Sequence, residues 1–128
     1  MDNKTIIVVD DSKTILLKVS LMLKKHGFNP ITTSECLDVV EMIKQSKPAL
    51  VVLDVEMPGM SGYQLCEIIK EDSAVENVPI VFFTTRDEYM DRLKGFAMGA
   101  QGYLTKDTEE EFFISTVKQL IEENPVTY

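Results

Sequence analysis

The sequence contains, close to its start, the stretch Thr5-Ile6-Ile7-Val8-Val9-Asp10-Asp11, in which a β-branched run leads straight into two adjacent acids. Two further runs have the same form. Leu50–Leu53 leads into Asp54, and Pro79–Phe83 leads into Thr84. Runs of this length that are apolar at every position are typical of strands buried on both faces, as in parallel sheets. They predict the central strands of an α/β domain.

Helical patterns separate these runs, over residues 13–26, 35–46, 63–72, 87–98 and 109–123, and weaker strand patterns cover 28–33 and 102–105. Ser34 and Thr108 are plausible N-caps of the second and fifth helix. Gly27 and Gly99 are plausible stops of the first and fourth. Strand and helix alternate five times, and right-handed crossovers then place helices on both faces of a parallel sheet.

The bulk composition predicts one globular domain, residues 1–128, with a core from about residue 4 to residue 123 and loose ends at 1–4 and 124–128. The net charge of −8 argues against direct nucleic-acid binding. No apolar run is long enough for a membrane helix, and no basic leader is visible, so we expect a cytoplasmic protein. Cys36 and Cys66 are expected to be buried free thiols, with a disulfide as the alternative.

The residues that end the strands indicate a functional site, because ligands of open α/β sheets bind beyond the carboxyl ends of the strands. Asp10 and Asp11 end the first strand, Asp54 the third, Thr84-Thr85 the fourth and Lys106 the fifth. Three carboxylates, a hydroxyl and an amine are therefore expected at one edge. The alternative for any one of these residues is that it only caps the following helix.

Crowded carboxylates repel one another unless a cation neutralises them. Mg²⁺ fits best, with Mn²⁺ as the alternative, because it accepts one or two carboxylates and leaves room for phosphate oxygens. A lysine and a hydroxyl beside such an ion suit a phosphoryl group that is being transferred.

At these positions the chain resembles the receiver domain of bacterial two-component response regulators, the family typified by the chemotaxis protein CheY. The resemblance covers about residues 4–123. It depends on the segment Val8–Ser12, the segment Asp54–Gly62 with its Met-Pro-x-Met-x-Gly pattern, the strand Pro79–Thr84 and the segment Gly99–Lys106. It implies a flavodoxin-like, doubly wound five-stranded parallel sheet in the order 2-1-3-4-5, surrounded by five helices.

The resemblance implies a role for each matching position of the acidic site. Asp54 is the implied phosphoacceptor, Asp11 a direct metal ligand, and Asp10 the residue that positions metal-bound water. The backbone carbonyl of Glu56 would complete the metal site.

Three further roles follow from the same resemblance. Thr84 would donate a hydrogen bond to the phosphoryl group, Lys106 would pair with it, and Tyr103 matches an aromatic switch that turns inward on activation.

The function implied is that of a signalling phosphoacceptor and not of an independent enzyme. The domain would take a phosphoryl group from a histidine kinase or a histidine phosphotransfer protein and hydrolyse it slowly by itself. A changed surface of the fourth helix, fifth strand and fifth helix would then signal to a downstream protein. Such domains act as monomers or phosphorylation-dependent homodimers, and the chain is either a stand-alone regulator or part of a longer one.

The sequence departs from the family pattern at two positions beside the site. Asp107 follows the lysine where proline is usual, so a cis peptide is not assumed there, and its carboxylate is a possible competitor for Lys106. Thr85 stands where alanine is frequent, and its bulk is expected to narrow access to Asp54.

Glu56 and Arg86 occupy positions that tune the phosphorylation lifetime in the family. We hypothesise that they form an ion pair over the site, and the alternative is two solvated side chains.

Leu17 and Leu21 fall away from the apolar face of the first helix and predict a second apolar patch. In the family this helix borders the docking site of the histidine-containing partner, so both leucines are candidate docking residues. Isolated exposed leucines are the alternative.

Two other functions are compatible with an α/β sheet. A haloacid dehalogenase-type phosphohydrolase needs an Asp-x-Asp pair after the first strand and usually a cap domain, and neither is visible. A nucleotide or flavin carrier is disfavoured because no Gly-x-Gly-x-x-Gly or Walker loop is present.

Overall fold

In the computed structural model, which describes residues 3–128, five strands form one fully parallel sheet in the order β2-β1-β3-β4-β5. The strands are β1 (Thr5–Val9), β2 (Asn29–Thr33), β3 (Leu50–Leu53), β4 (Ile80–Thr84) and β5 (Gly102–Thr105). The helices are α1 (Lys13–Lys25), α2 (Val39–Ser46), α3 (Gly62–Glu71), α4 (Tyr89–Ala97) and α5 (Glu110–Glu123). The predicted fold class and strand order are confirmed.

The central strands are apolar at consecutive positions because each has a helix layer on both faces. Successive side chains of a strand point to opposite sides of the sheet. In β1, Ile7 and Val9 join the core under α2 and α3, while Ile6 and Val8 join the core under α1 and α5. Burial on both faces thus accounts for the runs that predict the fold.

Two predicted helix caps are wrong. Residues Cys36–Asp38 form a short 3₁₀ helix before α2, and Ser34 caps neither helix. The Thr33 hydroxyl instead accepts a hydrogen bond from the Glu35 amide. The N-cap position of α5 is Glu109, not Thr108, and its side chain makes no capping hydrogen bond. Both segments offer several polar residues in a row, so composition alone does not fix the residue at which the helix starts.

Both ends of the chain are better anchored than the sequence predicts. The Tyr128 hydroxyl donates a hydrogen bond to the Pro48 carbonyl, which ties the last residues to the segment before β3. The Asn3 side chain donates to the Lys47 carbonyl at 2.7 Å. Met1 and Asp2 lie outside the described residues, so the expectation of a loose start is addressed only from Asn3 onward.

Cys36 and Cys66 are buried free thiols, as predicted. Within residues 3–128, every helix is too short or too polar to cross a membrane.

Candidate functional site: an acidic cluster at the carboxyl edge of the sheet

Asp10, Asp11 and Asp54 lie together at the carboxyl edge of the sheet. One carboxylate oxygen of each is within 4.8 Å of the other two. The pairing of β1 with β3 places Val9 beside Leu53, so the acids that follow are neighbours. The Asp54 amide donates to the Val9 carbonyl at 3.0 Å, which fixes this register. Asp10 and Asp54 are buried, and Asp11 is exposed.

Lys106 brings a cation to the two buried acids. Its Nζ lies 2.8 Å from Asp10 Oδ2 and 3.1 Å from Asp54 Oδ2. Its backbone amide donates to the Thr84 carbonyl at 2.9 Å, which holds the end of β5 against the end of β4. Burial acts to lower the pKa of Lys106, but the hydrogen bonds and charges of the two aspartates outweigh it and raise that pKa. Lys106 is therefore a firmly charged donor.

The Asp54 carboxylate is electrostatically destabilised. Burial raises its pKa first, and the charge of Asp10 raises it further. Lys106 and the Thr84 hydroxyl oppose this rise without cancelling it. One cation, Lys106, thus faces two buried carboxylates. The cluster therefore carries a net negative charge that a second cation could neutralise.

The acidic cluster fits a hard divalent cation. The three carboxylates supply oxygen donors at compatible separations, and one of them is exposed to solvent. Oxygen donors of this kind suit Mg²⁺ more than softer metals. The raised pKa of Asp54 supports the same conclusion, because a cation would stabilise the charged form.

The loop after Asp54 is held by a close backbone approach. A Cβ atom on Gly62 would lie 1.9 Å from the Asp54 carbonyl oxygen, so only glycine fits there. The Gly62 amide donates to the Val55 carbonyl at 2.8 Å, and Ser61 caps α3 through a capping box with Gln64. The glycine of the Met-Pro-x-Met-x-Gly pattern therefore positions the loop that carries Glu56.

Arg86 and Glu56 form the hypothesised ion pair, with Arg86 Nε 2.8 Å from Glu56 Oε1. Both side chains are about half exposed. Arg86 Nη1 also lies 3.5 Å from Asp91 Oδ1 in the first turn of α4. The guanidinium therefore links the loop after Asp54 to α4, and Asp91 is a member of this group that the sequence did not reveal.

Thr84 is fully buried at the end of β4, and its Oγ1 accepts from the Arg86 amide at 3.3 Å. The Tyr103 ring lies inward and is 5% exposed. Its hydroxyl donates to the Arg86 carbonyl at 2.9 Å. Thr84 thus borders the acidic cluster, whereas Tyr103 contacts the loop behind it.

At the first departure from the family pattern, Asp107 does not compete for Lys106. The Asp107 carboxylate accepts a hydrogen bond from the Thr105 hydroxyl, while Lys106 pairs with Asp10 and Asp54. The described chain contains no cis peptide bond, so the peptide between Lys106 and Asp107 is trans. The Thr85 side chain is exposed. Its expected effect on access to Asp54 stays a prediction.

Leu17 and Leu21 lie on the outer face of α1 and are 62% and 58% exposed. Both leucines are exposed, as the prediction of a second apolar patch requires. Their role in docking stays a prediction.

Comparisons with known proteins agree with this geometry. The family profile described as "Response regulator receiver domain" matches residues 6–118. The protein PilH of Pseudomonas aeruginosa is 34% identical over 116 residues, which cover 91% of this chain and 96% of PilH. The transcriptional regulatory protein YvrH of Bacillus subtilis is 40% identical over 83% of this chain and 44% of its own length. The structure of the chemotaxis protein CheY4 of Vibrio cholerae superimposes with a TM-score of 0.86 at 25% identity, covering 93% of this chain and 99% of that one.

Proposed function

This chain belongs to the response regulator receiver domain family, and from that premise we propose that it is a phosphorylation switch in which Asp54 accepts the phosphoryl group. The observation that carries this proposal is the placement of a buried, destabilised carboxylate beside a lysine that also contacts a second buried acid. Asp54 lies 3.1 Å from the Lys106 ammonium, and its pKa is raised chiefly by burial. The charged form of a carboxylate in this position is unfavourable in the folded protein, and the group is a good candidate nucleophile.

The reaction would use the side chains of the chain in distinct roles. An Asp54 oxygen attacks phosphorus and forms the new P–O bond, while the bond from phosphorus to the donor breaks and its electron pair leaves with the donor. The Lys106 ammonium is placed to bind a phosphoryl oxygen, because it already contacts Asp54. The Thr84 hydroxyl is buried beside the cluster and would donate a hydrogen bond to another.

Asp10, Asp11, Asp54 and the backbone carbonyl of Glu56 are the groups that would hold Mg²⁺, or alternatively Mn²⁺. A bound divalent ion would supply positive charge to the phosphoryl oxygens and to the crowded acids. The single charge of Lys106 neutralises only one of the two buried carboxylates, so a divalent cation would stabilise the cluster further.

The signal would arise from the charge that phosphorylation adds, about one to two negative charges. Arg86 belongs to the loop that joins β4 to α4, its amide donates to Thr84 at the end of β4, and Tyr103 of β5 is hydrogen bonded to the same loop. A shift of this loop would change the surface formed by α4, β5 and α5, which would signal to a downstream protein. We propose a role as a monomer or a phosphorylation-dependent homodimer in the cytoplasm, with no enzymatic activity beyond self-phosphorylation and slow self-hydrolysis.

The direct test is incubation of the protein with acetyl phosphate and Mg²⁺, followed by intact mass measurement and mapping of the modified residue. We expect the mass to increase by one phosphoryl group, located at Asp54. A chelator added before the donor should prevent this increase. Asp72→Asn is a matched control, because Asp72 lies at the end of α3, at the opposite edge of the sheet, and its substitution should leave the incorporation unchanged. Incorporation that persists in Asp54→Asn would refute the assignment.

The phosphodonor partner is proposed to be a histidine kinase or a histidine phosphotransfer protein that contacts Leu17 and Leu21. Both side chains are exposed on α1, so their substitution should leave the buried side chains of Val19 and Leu23 in place. Leu17→Glu combined with Leu21→Glu should slow transfer from a phosphohistidine protein and spare phosphorylation by acetyl phosphate. Ile68→Glu, an exposed apolar residue on α3, is the control. An equal loss with both donors would argue against docking.

A further inference from the structure

Helix α4 contains a glycine at a position where local structure does not require one. Gly95 is buried inside the helix Tyr89–Ala97 and its φ is not positive. Glycine is among the least favourable residues in a helix interior, and alanine is the most favourable. The reason for Gly95 must therefore be what its missing Cβ allows.

The space beside Gly95 is filled by the inward ring of Tyr103. A Cβ atom on Gly95 would lie 2.9 Å from Tyr103 Cδ2 and 3.2 Å from Tyr103 Cε2. It would also lie 3.1 Å from Phe82 Cδ2. Contacts this short cannot be accommodated without movement of one of the rings. Phe82 is fully buried in the central sheet, so the Tyr103 ring is the group that would have to move.

Other residues close this position around the Tyr103 ring. The ring of Phe82 packs against it with centroids 5.8 Å apart, and the Arg92 guanidinium lies 5.4 Å from its centroid. We call the space bounded by Gly95, Phe82 and Arg92 the Tyr103 slot. Burial raises the pKa of Tyr103 strongly, with the nearby Tyr63 adding to the effect, so its hydroxyl is a stable donor.

The Tyr103 slot determines where one end of the β4–α4 loop lies. From the slot, the Tyr103 hydroxyl donates to the Arg86 carbonyl at 2.9 Å. The Arg86 amide in turn donates to Thr84 Oγ1, and its side chain pairs with Glu56. None of the slot contacts involves Asp10, Asp54 or Lys106.

We infer that Gly95 is a positioning residue: by leaving the slot open, it allows the Tyr103 ring to lie inward, from where the Tyr103 hydroxyl holds the Arg86 loop in place. The part of this inference that concerns the site rests on the proposed phosphorylation of Asp54. The packing part does not.

A double-variant cycle tests the packing by free energy of unfolding. Gly95→Ala should destabilise the wild-type protein, because the added methyl group meets the Tyr103 ring. In the Tyr103→Ala background the same change should destabilise much less, because only the contact with Phe82 remains and alanine favours the helix. A destabilisation of the same size in both backgrounds would overturn the inference.

The second measurement is ¹⁹F NMR of the protein labelled with 3-fluorotyrosine. The chain contains four tyrosines, so four signals are expected. Tyr103→Phe identifies the Tyr103 signal. We expect Gly95→Ala to shift that signal toward the signal of the exposed Tyr89, and Leu93→Ala, an exposed control on α4, to leave it in place. A Tyr103 signal that Gly95→Ala leaves unchanged would contradict the slot.

The third measurement is the rate of phosphoryl incorporation at saturating Mg²⁺. Gly95→Ala and Tyr103→Phe should each slow it several-fold, and Gly95→Ala should have no further effect once Tyr103 is alanine. Equal slowing by Gly95→Ala with and without Tyr103 would overturn the positioning role. If the unfolding and NMR results agree with the slot but Asp54 accepts no phosphoryl group, the proposed function fails and the packing inference stands.

Discussion

Two charge clusters of this protein have opposite arrangements. At the carboxyl edge of the sheet, the Lys106 ammonium lies between two buried carboxylates, at 2.8 Å from Asp10 and 3.1 Å from Asp54. At the end of α1, the Glu110 carboxylate lies between the Lys25 ammonium and the His26 ring, with its Oε2 3.0 Å from both Lys25 Nζ and His26 Nε2. The distances are alike, but the surroundings are not.

The pKa shifts of the two carboxylates run in opposite directions. Burial raises the pKa of Asp54, whereas the hydrogen bonds from His26 and Lys25 lower the pKa of the more exposed Glu110. A short ion pair therefore does not by itself indicate a stabilised acid. The number of charges of each sign and their access to water decide whether the charged form of a carboxylate is stabilised or destabilised.

The largest effect should follow from removing the central charge of the buried cluster. Lys106→Met leaves Asp10 and Asp54 facing each other without a protein cation, and we expect a loss of about 2–4 kcal/mol in unfolding free energy without divalent ions. Urea unfolding at neutral pH measures this loss. Mg²⁺ should recover part of it.

Lys25→Met is the matched control for Lys106→Met, because Lys25 is 69% exposed and His26 remains beside Glu110. Its effect on the unfolding midpoint should lie within experimental error. Equal losses from the two lysine variants would show that burial does not distinguish the clusters.

The next largest effect should have the opposite sign. Asp54→Asn removes a destabilised carboxylate, so the metal-free variant should be more stable than wild type by about 1–2 kcal/mol. Glu110→Gln removes a carboxylate that its partners favour, so it should slightly lower stability. Thermal unfolding in chelator compares the two. A destabilised Asp54→Asn protein would contradict the raised pKa.

The pH dependence of these same variants should separate the clusters further. Because the pKa of folded Asp54 is raised, wild type should lose stability relative to Asp54→Asn as pH rises through that pKa. Because the pKa of folded Glu110 is lowered, wild type should lose its advantage over Glu110→Gln as pH falls through that pKa. Melting temperatures between acidic and neutral pH, without divalent ions, measure both. Parallel curves for the two pairs would refute the comparison.

The smallest effect concerns the exposed pair of Glu56 and Arg86, which lies beside the buried cluster but in solvent. If the pair acts as a unit, Glu56→Ala, Arg86→Ala and the double variant should change the dephosphorylation rate by similar amounts, about two- to threefold. Decay of the phosphorylated protein after donor removal gives the three rates. Strictly additive effects would remove the coupling between these residues.

The sequence was sufficient to predict the fold because the information is local and repeated. The run Thr5–Val9 is buried on both faces, and only a parallel sheet with two helix layers explains it. The acidic cluster was predictable for the same reason, since Asp10 and Asp54 directly follow neighbouring strands. Residues that end paired parallel strands must meet.

Features that depend on tertiary packing could not be predicted from the sequence. The link from Arg86 to Asp91 joins a loop to a helix turn, and many acids of this chain were equally plausible partners for that arginine. In the sequence, Gly95 is only an unfavourable residue inside a helix. The structure shows that the Tyr103 ring occupies the space that a Cβ atom would need. The start of α2 was missed because a 3₁₀ turn satisfies its first backbone groups in place of a side-chain cap.

If the Asp54 carboxylate binds a divalent cation, Mg²⁺ titration by calorimetry at several pH values, in buffers of different ionisation enthalpy, should reveal proton release. Wild type should release protons on binding, in amounts that grow as the pH falls toward the pKa of Asp54, and Asp54→Asn should release fewer. Binding without proton release at every pH, or equal release by both proteins, would contradict metal binding by Asp54.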